Sequence, residues 1–340
     1  MKRRWFWIGS IAVIALTVGA AVKWHSLVGK LYRQLFPKPL AGETRAEKVK
    51  GINGAGFSDP KPEDFSFFVV GHLYGTTEQD DRLPDQALLS AIPTINHAQP
   101  AFMVSLGDMV MHQDPEDFSL LNQTLLKNFT FPFFNTVGNH DVLDRSYYET
   151  TFGPTFFTFD YGPARLVFLD TEKKDCDLSS QQVNMIKGSV QKALRNHNIR
   201  YIFIFMHKTF FFKNDTLAAK RDRQASPNSW RCYGQGSFGD LLENTLLPAA
   251  QEKPVYLFAG DVGAWGNLTP FYERNPESDL TMIMTGLGDT SQDNMIQVHV
   301  DDQKVELEAI FLKDFSSHPL TEFTPSYWEQ VANGEIEKSP

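Results

Sequence analysis

The chain has 340 residues, of which 42% are hydrophobic and 13% aromatic, with 28 phenylalanines. That is enough apolar material for one large domain or two smaller ones. A net charge of −9 gives no electrostatic reason to expect nucleic acid as a partner, and two cysteines, Cys176 and Cys232, exclude a disulfide scaffold.

At the N-terminus, Lys2-Arg3-Arg4 precedes a run without charge over residues 5–22. About 18 apolar residues approach the roughly 20 that span a bilayer, and the basic flank favours a cytoplasmic N-terminus. Residues 1–22 therefore read as a transmembrane signal-anchor that leaves the body outside the cytoplasm, on the periplasmic or extracellular side. A signal peptide cleaved near Ala20 or Ala21 is the alternative. Residues 23–62 read as a stalk or linker, because Pro37, Pro39, Pro60, Pro62 and the glycines of 51–56 break any periodicity. Export would place Cys176 and Cys232 where they can pair; two unrelated thiols are the alternative.

Residues 63–315 read as the folded body. Strands are predicted over 65–70, 101–106 and 133–137, with helices over 83–97 and 118–129; Pro93 is expected to end or kink the first helix. A hairpin is predicted over 155–169, then a helix over 178–196 and a buried strand over 201–206. A loop-like region follows to about residue 238. A short helix is predicted over 241–247, then strands over 255–259, 281–284, 296–300 and 305–312. Residues 316–340 read as a poorly structured C-terminal tail. Strands and helices that alternate and then give way to strands indicate an α/β body around buried sheets.

Five strand ends carry polar groups in turn: His72, Asp108, Asn139-His140-Asp141, His207 and Asp261. Apolar strand, glycine turn, then polar chemistry is how α/β enzymes place catalytic groups. The ordered set resembles the calcineurin-like metallophosphoesterase superfamily, whose blocks read Asp-x-His, Gly-Asp-x-x-Asp, Gly-Asn-His-Asp/Glu, His and Gly-His-x-His. Gly107-Asp108, Gly138-Asn139-His140-Asp141 and His207 match, and Leu178-Ser179-Ser180-Gln181-Gln182 looks like the helix start of many members. Where the first block would read Gly-Asp-x-His-Gly, this chain has Gly71-His72-Leu73-Tyr74-Gly75. Met111 stands for the second Asp of the second block, with His112 beside it. The last block is Gly260-Asp261-Val262-Gly263.

The resemblance implies a four-layer α-β-β-α sandwich and a divalent-metal site. Carried over, Asp108, Asn139, His207 and Asp261 are the metal ligands, a mixed oxygen and nitrogen set suited to Mn, Fe or Zn. The other metal of the family pair loses its partners at Tyr74 and Gly263; His72, Tyr74 and His112 are additional metal or pocket candidates. His140 inherits the role of leaving-group acid, with Asp141 as its orienting partner. The implied activity is hydrolysis of a phosphate mono- or diester at the cell envelope, on a small molecule or an envelope glycan or lipid. The alternatives are an inactive binding or scaffold protein and an esterase acting on a non-phosphate bond. Phe210, Phe211, Phe212, Trp230 and Tyr233, after the lone His, would either stack a sugar or nucleoside or simply pack their loop.

Overall fold

Long apolar runs with few breaks specify strands buried on both faces, and two sheets form from them. The computed structural model describes residues 49–59, 62–75, 82–174, 177–212, 232, 236–263 and 268–337. The first six strands are β1 (Phe65–Val70), β2 (Phe102–Ser105), β3 (Phe133–Asn135), β4 (Phe157–Tyr161), β5 (Ala164–Phe168) and β6 (Tyr201–Met206). They are followed by β7 (Val255–Ala259), β8 (Phe271–Arg274), β9 (Leu280–Met284), β10 (Asn294–Val300), β11 (Val305–Phe311) and β12 (Ser317–Pro319). One sheet runs β12-β11-β10-β1-β2-β3 and the other β4-β5-β6-β7-β9-β8. Within them, β1, β2 and β3 are parallel, as are β5, β6, β7 and β9.

Among the described residues, the helices of six or more residues are α1 (Gln86–Ala98), α2 (Pro115–Thr124), α3 (Arg145–Phe152), α4 (Ser180–Arg195), α5 (Gly236–Leu241) and α6 (Pro325–Asn333). Alternation along β1 assigns the layers. Phe67 and Val69 belong to the core between the sheets, whereas Phe68 and Val70 pack with Leu88 and Ala91 of α1 and Phe118 of α2. On the far side, α4 packs on β5 and β6 and buries Met185, Ile186 and Val190. The order is helix, sheet, sheet, helix, the α-β-β-α sandwich. Phenylalanine closes its centre. Phe67 stacks on Phe102 at 4.5 Å and meets Phe203 of the other sheet edge-on at 5.5 Å. Such pairs add about 0.5–1.5 kcal/mol each beyond buried area.

Three sequence expectations change. The tail after Phe315 is structured: β12 pairs with β11, and α6 buries Trp328, whose indole N–H donates to the Pro270 carbonyl at 3.0 Å. An irregular, polar connection hid this one-anchor docking. The end of the stalk is also part of the body. Phe57 stacks on Tyr161 at 4.2 Å, and the Asn53 side chain bonds the Phe131 carbonyl and the Phe133 amide. Finally, α1 runs through Pro93 without a break, because Pro93 lies on the exposed face and Leu89 is only half-buried, so the carbonyl Pro93 frees can reach solvent. Residues 5–22 and Cys176 lie outside the described residues, while Cys232 is buried and disulfide-bonded. Among the described residues no helix is long and apolar enough to cross a membrane.

Candidate functional site

The carboxyl ends of the parallel strands of both sheets meet along one seam. Gly107 makes the closest approach possible. Its φ of +94° is left-handed, and a Cβ there would stand 2.6 Å from both the Gly138 amide and His207 Nδ1. The chain leaves β1 through His72 (φ 56°) and β2 through Asp108 (φ 57°). Non-glycine residues held in this conformation store strain and cluster at functional sites.

Asp108 is the hub of the seam and is buried. Its Oδ1 accepts the His140 main-chain N–H at 3.0 Å. Its Oδ2 faces two imidazoles, His207 Nε2 at 3.5 Å and His72 Nε2 at 3.7 Å. Burial works against the Asp108 charge, but His207, His72 and His140 outweigh it and hold the carboxyl below its ordinary pKa. His207 is fully buried, and its Nδ1 donates to the Leu106 carbonyl at 2.7 Å. That bond turns Nε2 toward Asp108 and toward Asp261 Oδ1, 3.8 Å away, yet Nε2 has no hydrogen-bond partner. Burial would lower the His207 pKa; the carboxylates of Asp108, Asp261 and Glu172 reverse this and push it up to about 9. The main-chain N–H of Asp261 in turn donates to the His207 carbonyl at 2.8 Å.

The third block divides its labour. Asp141 is buried, and its carboxylate accepts from the amides of Asp108, Met109 and Gly138 at 2.8–3.0 Å and from Asn135 Nδ2 at 3.3 Å. Burial first, and then the Asp108 charge, push its pKa up to about 6. It ties the β2 and β3 loops together. The ring of His140 is oriented by the Met111 carbonyl, 2.8 Å from Nδ1, so the orienting role expected of Asp141 falls to a main-chain group. On the other side, His140 Nε2 meets the Tyr74 hydroxyl at 3.5 Å. Tyr74 is buried, tilted against His72 at 4.2 Å and against His140 at 4.9 Å; burial and then the Asp108, Asp261 and Asp141 charges push its pKa up.

Two expected residues make main-chain hydrogen bonds to side chains outside this cluster. Asn139 is exposed, and its main-chain carbonyl accepts from Gln113 Nε2 at 2.6 Å. His112 gives its main-chain N–H to Asp117 at 3.0 Å. Conversely, Glu172 and Lys208 are site residues that strand-end reading passed over. Both are buried or nearly so, paired at 3.1 Å, and Glu172 lies within electrostatic reach of His207 and Asp261. The signal was present in the Leu-Ser-x-x-Gln run. Ser179 caps α4, and Gln182 clasps Asp170 through both its main-chain N–H and carbonyl at 2.8 and 2.9 Å, fixing the turn that carries Glu172. Phe210, Phe211 and Phe212 are all buried and belong to the core, the packing alternative; Trp230 and Tyr233 lie outside the described residues.

No family model and no curated protein sequence matches the chain. Solved structures do. A dimetal phosphatase from Danio rerio aligns with a TM-score of 0.53 and 12% identity, over 77% of this chain and all of its own. The fold is that of the calcineurin-like metallophosphoesterases. Further matches are GAP50, the anchor in the inner membrane complex of Plasmodium (16% identity, 76% and 89% covered, TM-score 0.48), and zinc-complexed Vps29 from Entamoeba histolytica (10% identity, 74% and 96% covered, TM-score 0.35).

The donors fit one cation better than two. His207 Nε2, Asp108 Oδ2 and Asp261 Oδ1 offer one imidazole and two carboxylates, with His72 beyond Asp108, and the orphaned Nε2 is what a ligand nitrogen held by its other ring atom looks like. They stand open: among the described residues, no three His, Cys, Asp or Glu side chains converge tightly enough to hold a metal as they are. The second position of the dimetal pattern does not fit, because Tyr74 is stacked between two imidazoles and Gly263 has no side chain.

Proposed function

We propose that the chain is a divergent metal-dependent phosphoesterase that works with one divalent cation, Mn, Fe or Zn. The observation that carries this reading is His207: buried, locked by Leu106, and presenting an unbonded Nε2 between two carboxylates. Asp108, His207 and Asp261 would hold the cation, with His72 and the exposed Asn139 as candidates to complete its shell. A bound cation polarises a phosphoryl oxygen and lowers the pKa of a coordinated water. His140, aimed by the Met111 carbonyl, supplies the proton to the leaving oxygen. Asp141 keeps the two loops in register rather than exchanging protons, since its oxygens are taken up by main-chain amides. Glu172, paired with Lys208, adds a carboxylate within electrostatic reach of His207. The uncharged run at residues 5–22 supports a place at the cell envelope, with a small-molecule phosphoester or an envelope glycan or lipid as substrate.

Metal analysis of the full chain, alongside turnover of p-nitrophenyl phosphate and bis(p-nitrophenyl) phosphate, tests the proposal. One bound transition metal and turnover that disappears in His207→Ala are expected. Neither metal nor turnover with any divalent ion would overturn it in favour of a binding or scaffold role. Metal without phosphoester turnover would point to an esterase on another bond.

A further inference from the structure

The sandwich is closed by phenylalanine near the metal-site end and opens at the opposite end. Strand register shows how. Phe203 pairs with Tyr256, Tyr256 with Thr281 and Thr281 with Arg274, so these side chains share one face. Phe203 meets Phe67 of the other sheet, so that face is the inner one. Tyr201 precedes Phe203 by two residues and Tyr272 precedes Arg274 by two, which puts both on the same face. Toward the site, the inner positions of β6 and β7 are Phe203, Phe205 and Phe258, packed at 5.3–6.5 Å. Away from it they become Tyr201 and Tyr256. Between these tyrosines and Val305 and Leu307 of β11 lies a cavity of about 530 Å³. That is the volume of a small-molecule site.

A space between two sheets is normally filled with apolar side chains. Here it is kept open and given polar tips. Among the described residues, the hydroxyls of Tyr201, Tyr256 and Tyr272 make no hydrogen bond to the protein. The cations of the lining are already matched, Arg274 by Asp279 and Lys304 by Glu306, and Glu308 adds a further carboxylate. No positive charge is left to hold an anion, which disfavours phosphates. Broad ring faces, phenol hydroxyls and the lack of an unmatched cation among the lining residues suit a neutral ligand that is itself hydroxyl-rich with apolar faces.

We propose that this inter-sheet cavity is a binding site for a neutral saccharide, contacted by the rings and hydroxyls of Tyr256 and Tyr272. The proposal stands apart from the hydrolase reading, because the cavity is at the other end of the strands. A panel of immobilised neutral oligosaccharides, including β-linked glucose and N-acetylglucosamine hexamers, is screened with the full chain, and the best binder is measured by calorimetry. Retention of at least one oligosaccharide is expected, with affinity reduced at least tenfold in Tyr272→Ala and less in Tyr272→Phe. Tyr256→Phe, which keeps the ring volume, guards against a variant that fails to fold; it should also bind more weakly. His207→Ala should bind as the parent does, so failure of the hydrolase reading leaves this one standing. No neutral oligosaccharide bound, tyrosine variants that bind like the parent, or binding lost in His207→Ala would each overturn it.

Discussion

The two halves of the candidate site are organised by different forces. On one side of Asp108, His207 and Asp261 set out donor atoms, with the His207 ring held by the Leu106 carbonyl and its Nε2 left unbonded. On the other, His72, Tyr74 and His140 are held by ring against ring. Where the pattern the sequence resembles has Asp and His, this chain has His72 and Tyr74, which pack ring against ring. Beneath both halves, Gly107, Gly138 and the Asp141 ties hold the backbone of the seam together. Site chemistry is thus decided by a few side chains on a seam whose geometry is set elsewhere.

The comparison can be broken most severely at the ligating half. His207→Ala should abolish phosphoester turnover and weaken metal binding by more than about 100-fold in a metal titration. His140→Ala, at the border of the halves, should lower kcat by roughly 10²–10⁴-fold while metal content stays that of the parent. Gly107→Ala strikes the shared seam, combining a left-handed backbone with a Cβ 2.6 Å from main chain; chemical denaturation should show a loss of about 2 kcal/mol or more.

The packed half has its own anchor. The main-chain N–H of Asp85 donates to the Leu73 carbonyl at 2.7 Å, and its buried carboxyl is pushed up to about 7 by burial and by the neighbouring Asp293. The unfolded chain releases that proton near the ordinary carboxyl value of 3.8, whereas the folded chain keeps it to about pH 7. Its stabilisation is therefore full below the lower value and lost as pH rises to the higher, an amount on the order of 4 kcal/mol. Melts between pH 4 and 7 should show this slope, and Asp85→Asn should flatten it. Tyr74→Phe is expected to have the smallest effect, less than about tenfold in kcat, because its hydroxyl sits a weak 3.5 Å from His140.

The fold was legible because its strands are unbroken apolar runs: β6 and β7 fall where the pattern puts them. The hub residues were legible because each follows such a strand. What the sequence could not convey was direction. Asn139 stands in an intact motif yet faces solvent, and Asp141 turns inward to main-chain amides. Glu172 sits in Thr171-Glu172-Lys173-Lys174, which reads as a charged surface turn until the Gln182 clasp and the Lys208 pair draw it inside. β8 and β12 went unseen because short, polar edge strands carry little periodicity.

That last strand matters for handling the protein. β12 covers the outer edge of β11, whose Glu308, Ala309 and Ile310 it pairs. A truncation at Phe315, natural if the tail were dispensable, would bare a row of unpaired main-chain groups at the rim of a six-stranded sheet. Such edges recruit strands from other molecules. The shortened chain should therefore precipitate or form higher oligomers on concentration, for a reason unrelated to the metal or its ligands.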